Sequence, residues 1–396
     1  MVDPYVEKLA DLILEHSLGE VDFVEAWENE QKSLLMTCEP PADELAKAVT
    51  KKVLKAGGNV ILKETPSWFD YMYLTNASDS VLTSHPTLEL QRLEHIAARL
   101  SVLSRPNTRS LATVDPEKLR IRYEALKPLR KAYMEVDENG NPKIPYCSGF
   151  FPTEGFAQDM EMPYDEYRDY IWKILYLDED NPIDAYERIS KKQDDLKRRV
   201  LDRAETLRIV DEEDKTDLEM SVRGHKWVKD IGKFNLPTDE IFNAPRKDSV
   251  EGVITFPKLP QHRYGGPEVS GIWLKFEQGE VVDYEARIGQ DYLTKMLQFP
   301  GATRLGEVAL GLHPLITENS GQIRIDEKRG GTIHIAFGDA YRYHVPRGGD
   351  TSGLNSSSLH WDLIREMNKP SAYVVINGTY QLRWNSDTRL WDVNRI

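Results

Sequence analysis

The stretch DELAKAVTKKVLKAGGNVIL, residues 43–62, decides the fold class of the first half of the chain. Residues 43–56 place apolar side chains at helical spacing, and the pair Gly57-Gly58 follows where such a helix would end. Residues 59–62 then form a short apolar run that is typical of a strand. The stretch therefore predicts a helix that leads directly into a strand, the unit from which α/β folds are built.

The same pattern extends to both sides of this unit. Residues 5–16 predict an amphipathic helix, and residues 88–98 predict a helix that precedes an apolar run at 100–103. Residues 116–133 predict a further helix, and residues 181–209 predict one long helix with a charged, solvated outer face. We therefore expect an N-terminal α/β domain with a mostly parallel sheet.

The second half of the chain has a different texture. After the acidic run at 211–214, Gly and Pro become more frequent and short runs typical of strands appear. These predicted strands are residues 250–256, 271–276, 323–325 and 332–337. The pair Asn377-Gly378 lies between two further runs, at 372–376 and 379–384, and predicts a β-hairpin. We predict an N-terminal domain at 1–215 and a C-terminal α+β, β-rich domain at 216–396.

The composition excludes several classes of function. The chain has 396 residues, with 51 Lys and Arg against 65 Asp and Glu, which gives a formal net charge of −14. So acidic a chain is a poor partner for the phosphate backbone of a nucleic acid. No window approaches the roughly 18 apolar, uncharged residues of a membrane helix, and the N-terminus lacks the pattern of a signal peptide. We expect a cytoplasmic protein with no nucleic-acid or membrane partner.

The signatures of several common enzyme classes are missing from the sequence. There is no G-x-x-x-x-G-K-[ST], no G-x-G-x-x-G after a strand, no G-x-S-x-G and no H-E-x-x-H. The chain therefore lacks the standard signatures of P-loop nucleotide binding, dinucleotide binding, serine hydrolysis and zincin metalloproteases.

What remains is a set of His and carboxylate residues in the second half, each among small or apolar neighbours. The candidates are Glu251, Glu307, His334, His360 and Asp362. An ionised Glu307 among apolar neighbours would need a partner if buried, although the local sequence alone favours a surface glutamate at the start of a helix. His334 could likewise be a core histidine, whereas His360 and Asp362 would share one side of an extended segment. Together these nitrogen and oxygen ligands suit two divalent transition-metal ions.

Four blocks that carry these residues resemble one known family. They are NLPTDEIFNAP at 235–245 followed by Ser249 and Glu251-Gly252, LGEVA at 305–309, DEK at 326–328 with GTIHIAFG at 331–338 and Tyr341, and SLHWD at 358–362. In this order they are similar to the blocks of the thermophilic-type metallo-aminopeptidases, peptidase family M29, also called the aminopeptidase T family. A fainter resemblance extends into the first half of the chain.

The resemblance implies a metal-dependent aminopeptidase, an exopeptidase that removes residues from the free N-terminus of short peptides. Two divalent ions per chain (Zn, Co or Mn) would share a bridging water, bound by Glu251, Glu307, His334, His360 and Asp362. Tyr341 falls on the active-site tyrosine, and Glu307 is a second candidate catalytic residue. The family also implies a homodimer. Asp239 replaces the usual Gly of the family, and residues 20–40 and 348–355 diverge from it.

Two other functions stay open on the residues alone. The same two-metal chemistry could hydrolyse a small non-peptide amide, since the residues that set specificity are not identified by the sequence. A noncatalytic metal-binding protein is the alternative from another class, although the two imidazoles disfavour Ca²⁺, which prefers an all-oxygen shell. The remaining histidines, His225 among them, are interpreted as structural.

Overall fold

The N-terminal region consists of helices and short strands in alternation. The computed structural model describes residues 3–137, 141–262, 265–346 and 348–396. The helices of this region are α1 Pro4–Asp11, α2 Phe23–Glu30, α3 Asp43–Ala56, α4 Trp68–Asn76, α5 Asp79–Leu82, α6 Thr87–Arg92, α7 Pro116–Tyr133, α8 Glu154–Asp159, α9 Tyr164–Ile174 and α10 Pro182–Arg199. Its strands are β1 Ser33–Cys38, β2 Val60–Glu64, β3 Ile96–Leu103 and β4 Tyr146–Phe150.

These four strands form a parallel sheet in the order β2-β1-β3-β4. The unit predicted from residues 43–62 is present, because α3 ends at Gly57 and β2 begins three residues later. Gly57 has a φ of 102°, the left-handed conformation in which glycine ends a helix at low cost. The predicted α/β architecture with a mostly parallel sheet is therefore confirmed.

The C-terminal region is dominated by antiparallel strands. They are β5 Thr206–Asp211, β6 Thr216–Ser221, β7 Val228–Asp230, β8 Glu240–Asn243, β9 Glu251–Phe256, β10 Gln261–His262, β11 Glu268–Glu277, β12 Glu280–Ile288, β13 Leu305–Gly311, β14 Thr332–Gly338, β15 His360–Glu366, β16 Ala372–Ile376, β17 Tyr380–Asn385 and β18 Leu390–Arg395. Two helices accompany them, α11 Gln290–Leu297 and α12 Ile323–Asp326. The predicted β-rich C-terminal region is confirmed.

The strands form two sheets that share one hydrophobic core. The larger sheet has the order β10-β11-β9-β6-β5-β16-β17-β18 with β12 beside β11, and the smaller has the order β15-β14-β13-β8-β7. Leu218, Ile254 and Leu274 of the larger sheet and Val308 and Ile333 of the smaller belong to the same buried cluster. Burial of these side chains therefore fixes one face of the smaller sheet and leaves its other face available for polar groups.

Three of the predicted elements are wrong or misplaced. The helix predicted at 88–98 ends at Arg92, since Ile96 already pairs in β3. The helix predicted at 181–209 ends at Arg199, and Thr206–Asp211 is a strand whose β-branched residues pair on both sides. The predicted strand at 323–325 is a helical turn. A run of three apolar residues is too short to show whether its hydrophobic period is that of a helix or that of a strand.

The strand Thr206–Asp211 joins the C-terminal sheet although it precedes the predicted boundary at residue 215. The division into 1–215 and 216–396 stays a prediction. None of the helices in the described ranges has the length and apolar character of a membrane span.

Candidate metal centre

The candidate ligands lie on one face of the smaller sheet. In β14, His334 pairs with Ala309 of β13, and Ala336 pairs with Asp362 of β15. Because paired residues share a face and alternate residues of a strand do so too, Glu307, His334, His360 and Asp362 all point to the same side. The opposite face carries the apolar residues that pack in the shared core.

Small residues make room between these side chains. Ala309 and Ala336 occupy the positions between the ligands, so the polar groups of three strands converge without a bulky neighbour. At the end of β14, Gly338 has a φ of 97°, and a Cβ there would lie 2.1 Å from the carbonyl oxygen of Leu359. Only glycine therefore allows β15 to begin with His360 directly beside it.

The converging groups are close enough to act as one cluster. Nε2 of His334 lies 3.1 Å from Oε1 of Glu307 and 3.5 Å from Oε2 of Glu240. Nε2 of His360 lies 3.4 Å from Oδ1 of Asp362 and 3.9 Å from Oε2 of Glu307. Glu307 therefore lies between the two imidazoles.

Three overlapping sets of these residues have the geometry of a metal site. In each set the ligand atoms lie within 4.8 Å of one another: Glu240, Glu307 and His334; Glu307, His360 and Asp362; Glu327, His334 and Asp362. Oε2 of Glu240 and Oδ1 of Asp362 are buried without a hydrogen bond of normal geometry. Buried carboxylate oxygens without donors are costly, and a cation would satisfy them, so the residues fit a divalent metal. The mixed nitrogen and oxygen donors suit Zn, Co or Mn.

Glu251 does not belong to this cluster. It begins β9 in the larger sheet, its side chain is exposed, and its Oε1 accepts a hydrogen bond of 2.7 Å from the backbone N–H of Gln278. Glu240, from the same motif block, lies in the cluster where Glu251 was expected. Strand β8 pairs with β13, which places Glu240 opposite Gly311 and close to Glu307 and His334. The structure thus brings Glu240, and not Glu251, into the cluster, and the identity of the metal ligands stays a prediction.

The sequence contained a signal for Glu240 and for Glu327. Glu240 starts the buried run EIFN, and Glu327 follows the buried turn of α12, so both carboxylates are enclosed by apolar segments. Neither glutamate has a histidine two residues away, which is the spacing that predicts a shared side for His360 and Asp362.

A buried lysine balances part of the negative charge. Nζ of Lys328, with 1% of its side chain exposed, pairs with Oε1 of Glu240 and lies 2.8 Å from Oε1 of Glu327. The four carboxylates of Glu240, Glu307, Glu327 and Asp362 with this ammonium group carry a formal charge of −3. A divalent cation bound in the cluster would offset much of this negative charge.

The titration of the two histidines follows from their surroundings. Burial alone would lower the pKa of His334, but the hydrogen bond to Glu307 and the charge of Glu240 outweigh it and raise the pKa to about 9. Burial also opposes charge on His360, yet Asp362 and Glu307 raise its pKa to about 10. Burial would raise the pKa of Asp362, but His360 and His334 lower it to about 2. Burial raises the pKa of Glu240 to about 8 despite the nearby Lys328.

Tyr341 lies at the edge of this cluster. Its ring centroid is 5.0 Å from that of His360, and it stacks on Tyr343 at 5.1 Å. Burial and the charge of Glu307 raise the pKa of Tyr341 well above its usual value, so the phenol stays protonated at neutral pH. Tyr341 is therefore available as a hydrogen-bond donor.

A cavity of about 320 Å³ opens onto the cluster between the two regions of the chain. Tyr123 and Arg130 of α7 and Tyr146 of β4 line one side, and Glu307 and Asp362 line the other. The regions are joined here, since Nη1 of Arg130 donates to the carbonyl of Ser358. The N-terminal region thus forms one wall of the candidate site.

Asp239, at the position where the resemblance implies a glycine, has a φ of 92°. L-residues other than glycine rarely adopt this conformation. Its carboxylate is buried and accepts a hydrogen bond of 2.9 Å from Nε2 of Gln193, and burial raises its pKa to about 6. The substitution therefore strains the backbone next to Glu240 without adding a ligand to the cluster.

Comparison with known proteins gives a consistent set of similarities. The family model described as "Thermophilic metalloprotease (M29)" matches residues 2–378. Aminopeptidase 2 of Geobacillus stearothermophilus is 27% identical over 374 residues, which cover 84% of this chain and 86% of that protein. Aminopeptidase T of Thermus thermophilus is 30% identical over 291 residues, which cover 67% of this chain and 69% of that protein.

The fold is also similar to a solved structure. "Wild-type AmpT from Thermus thermophilus" aligns with a TM-score of 0.74 over 99% of this chain and 97% of that chain. The sequence identity in this alignment is 23%, so the structural comparison establishes likeness of fold.

Proposed function

Because the chain belongs to the thermophilic metalloprotease family M29, we propose that it is a two-metal aminopeptidase acting on short peptides with a free N-terminus. The observation that carries the proposal is the convergence of Glu240, Glu307, His334, His360 and Asp362 on one sheet face. Two divalent ions, when bound, would provide a shared water as nucleophile and polarise the scissile carbonyl.

The chain's own residues hold the reacting groups in place. Glu307 lies 3.1 Å from Nε2 of His334 and 3.9 Å from Nε2 of His360, so it would help to hold a metal ion beside either imidazole. Glu240 would add a ligand on the His334 side, and Asp362 would add one on the His360 side. Nδ1 of His360 lies 2.9 Å from the carbonyl oxygen of Asp339, which fixes the ring so that Nε2 faces the cluster.

Tyr341 donates its phenolic proton as a hydrogen bond to the oxygen of the scissile carbonyl as negative charge develops there. A donor placed in this way contributes roughly 10²–10³ to the rate in other acyl-transfer enzymes. The cavity of about 320 Å³ admits a short peptide and excludes a folded protein. On the family resemblance we also propose a cytoplasmic homodimer, which light scattering of the purified protein tests.

The deciding experiment uses an aminoacyl p-nitroanilide in two forms, with a free amine and with an N-acetylated amine. The metal-loaded enzyme should release p-nitroaniline from the free form only, and a chelator should abolish the release. Cleavage of the acetylated form would favour the alternative amidohydrolase. Bound metal without turnover of either substrate would leave a noncatalytic metal-binding protein. Release that persists in the presence of the chelator would contradict a metal-dependent reaction.

A further inference from the structure

A second and larger cavity adjoins the proposed active site. It has a volume of about 930 Å³ and shares Arg130, Met134 and Tyr341 with the cavity over the metal cluster. We call it the distal cavity, defined by Lys127, Arg130, Lys131, Asp339, Arg342 and Leu354. Because Tyr341 lies in both walls, a peptide bond held at the cluster leaves the rest of its chain facing this space.

The distal cavity is lined by four cations, of which Lys127 and Arg130 interact with the charge of the Asp339 carboxylate without contacting it as an ion pair. Among the described residues, no ion pair holds Lys127, Arg130, Lys131 or Arg342. Lys131 and Arg342 are exposed, and Lys127 and Arg130 are half-buried. Nη1 of Arg130 donates to a backbone carbonyl, which orients the guanidinium without neutralising it.

The acidic residues of the same walls are already engaged. Glu135 lies 2.9 Å from Nζ of Lys143, and Asp137 accepts a hydrogen bond of 2.9 Å from the backbone N–H of Asn141. Oδ1 of Asp339 accepts from the backbone N–H of Ser357 at 2.9 Å. The hydrogen bonds to Asp137 and Asp339 do not neutralise their charges, so the walls carry four cations against three carboxylates. In a chain with a net charge of −14, this small positive excess is a local reversal of the overall field.

We propose that the distal cavity binds the leaving part of the peptide and that its cations recognise a carboxylate there. The proposal rests on the proposed aminopeptidase function. An extended residue spans about 3.3 Å, so the C-terminal carboxylate of a di- to tetrapeptide lies roughly 3–10 Å beyond the scissile bond, within an adjoining cavity. Arginine and lysine are the side chains suited to this group, arginine with bidentate geometry.

The test compares three tripeptides that differ only at the C-terminal end on the metal-loaded enzyme. The first has a free C-terminal carboxylate, the second has a C-terminal amide, and the third is amidated but carries Asp as its last residue. We expect kcat/KM for the free acid to exceed that for the amide about tenfold at low salt, with the difference shrinking as ionic strength rises. The third peptide shows which carboxylate is recognised. A kcat/KM near that of the free acid means that a side-chain carboxylate is recognised as well. A kcat/KM near that of the amide means that only the C-terminal carboxylate is recognised.

Variants assign the effect to the cavity. In the double variant Arg342→Gln, Lys127→Gln the acid-to-amide ratio should fall toward one, whereas Lys275→Gln, which removes an exposed lysine paired with Glu277, should retain the wild-type ratio. Equal rates for acid and amide in the wild type, or an unchanged ratio in the double variant with a normal melting temperature, would overturn the proposal. If none of the three peptides is cleaved, the proposed aminopeptidase function itself fails.

Discussion

The ammonium group of Lys328 and the carboxylate of Glu240 form an ion pair in which only 1% and 4% of the two side chains are exposed. The pair occupies Oε1 of Glu240 and leaves Oε2 facing Nε2 of His334 at 3.5 Å. Lys328 therefore acts through Glu240 as a positioning residue of the candidate metal centre. It also holds Glu327, whose carboxylate belongs to another ligand set.

We predict that Lys328→Met destabilises the metal-free protein by about 3–5 kcal/mol, the usual cost of leaving a buried charge without its partner. The variant should also lower both kcat and metal affinity, because Glu240 loses the contact that orients its carboxylate. Lys328→Arg should restore part of both. Denaturant unfolding and metal titration measure these effects. Lys275→Met is the matched control: its pair with Glu277 is exposed, so its effect should stay below about 1 kcal/mol. Equal stability of the two variants would contradict a positioning role for Lys328.

Glu240 and Glu307, which lie in the cluster, and Glu251, which lies outside it, can be separated by substitution. Glu240→Gln and Glu307→Gln should reduce bound metal and lower kcat/KM by more than the roughly 100-fold caused by loss of an outer-shell partner. Glu307→Gln should lower bound metal more than Glu240→Gln does, because the Glu307 carboxylate lies near the imidazoles of both His334 and His360. Metal content by elemental analysis and peptide hydrolysis are the measurements. Glu251→Gln should leave metal content and hydrolysis unchanged, and a loss of metal in this variant would restore Glu251 to the ligand set.

Much of the fold and of the cluster was accessible from the sequence because the signals are local. Residues 43–62 form a helix, a glycine cap at Gly57 and a strand, in the order that the local sequence predicts. Asn377-Gly378 joins β16 to β17 with φ values of 53° and 61°. His360 and Asp362 share a side because a strand alternates. These features depend on neighbours in sequence, and the structure brings them together as expected.

The choice between Glu240 and Glu251 was not accessible in the same way. Both glutamates begin a strand and both lie in the same motif block, so their local sequences are alike. What separates them is the neighbouring strand: β8 pairs with β13 of the smaller sheet, and β9 pairs with β6 and β11 of the larger one. Such pairings depend on contacts far apart in the chain, which local patterns do not encode.

Tyr341→Phe should lower kcat by roughly 10²–10³ while metal content and KM stay close to wild type, because the phenol acts on developing charge rather than on the bound substrate. The high pKa of Tyr341 adds a second expectation: its ionisation produces no alkaline limb in the rate profile below about pH 10. Steady-state kinetics across pH, with Tyr164→Phe as an exposed control, measures both effects. A variant that retains full kcat would leave Tyr341 a packing role against Tyr343 and His360.

Metal uptake by the metal-free protein should release protons. The pKa values of His334, about 9, and of His360, about 10, keep both imidazoles charged at pH 7, and only neutral imidazoles bind metal. We expect about two protons per chain from these histidines at pH 7, and Glu240, whose pKa of about 8 keeps most of it protonated there, adds to the count. Metal affinity should rise with pH until about pH 9–10. In the metal-free protein the same raised pKa values stabilise the fold fully below about pH 6.5, and this contribution is lost as the pH rises through 9–10.

Calorimetric titration of the metal-free protein with Zn²⁺ in buffers of different ionisation enthalpy counts these protons. His225→Ala is the control, because burial lowers the pKa of His225 and its Nδ1 lies 2.8 Å from the carbonyl oxygen of Ala244, outside the cluster. The count should not change in this variant and should fall by about one in His360→Ala. Metal binding without proton release at pH 7 would mean that the two imidazoles are neutral before the metal arrives, and the charged His334–Glu307 contact would then have no part in holding the empty site together.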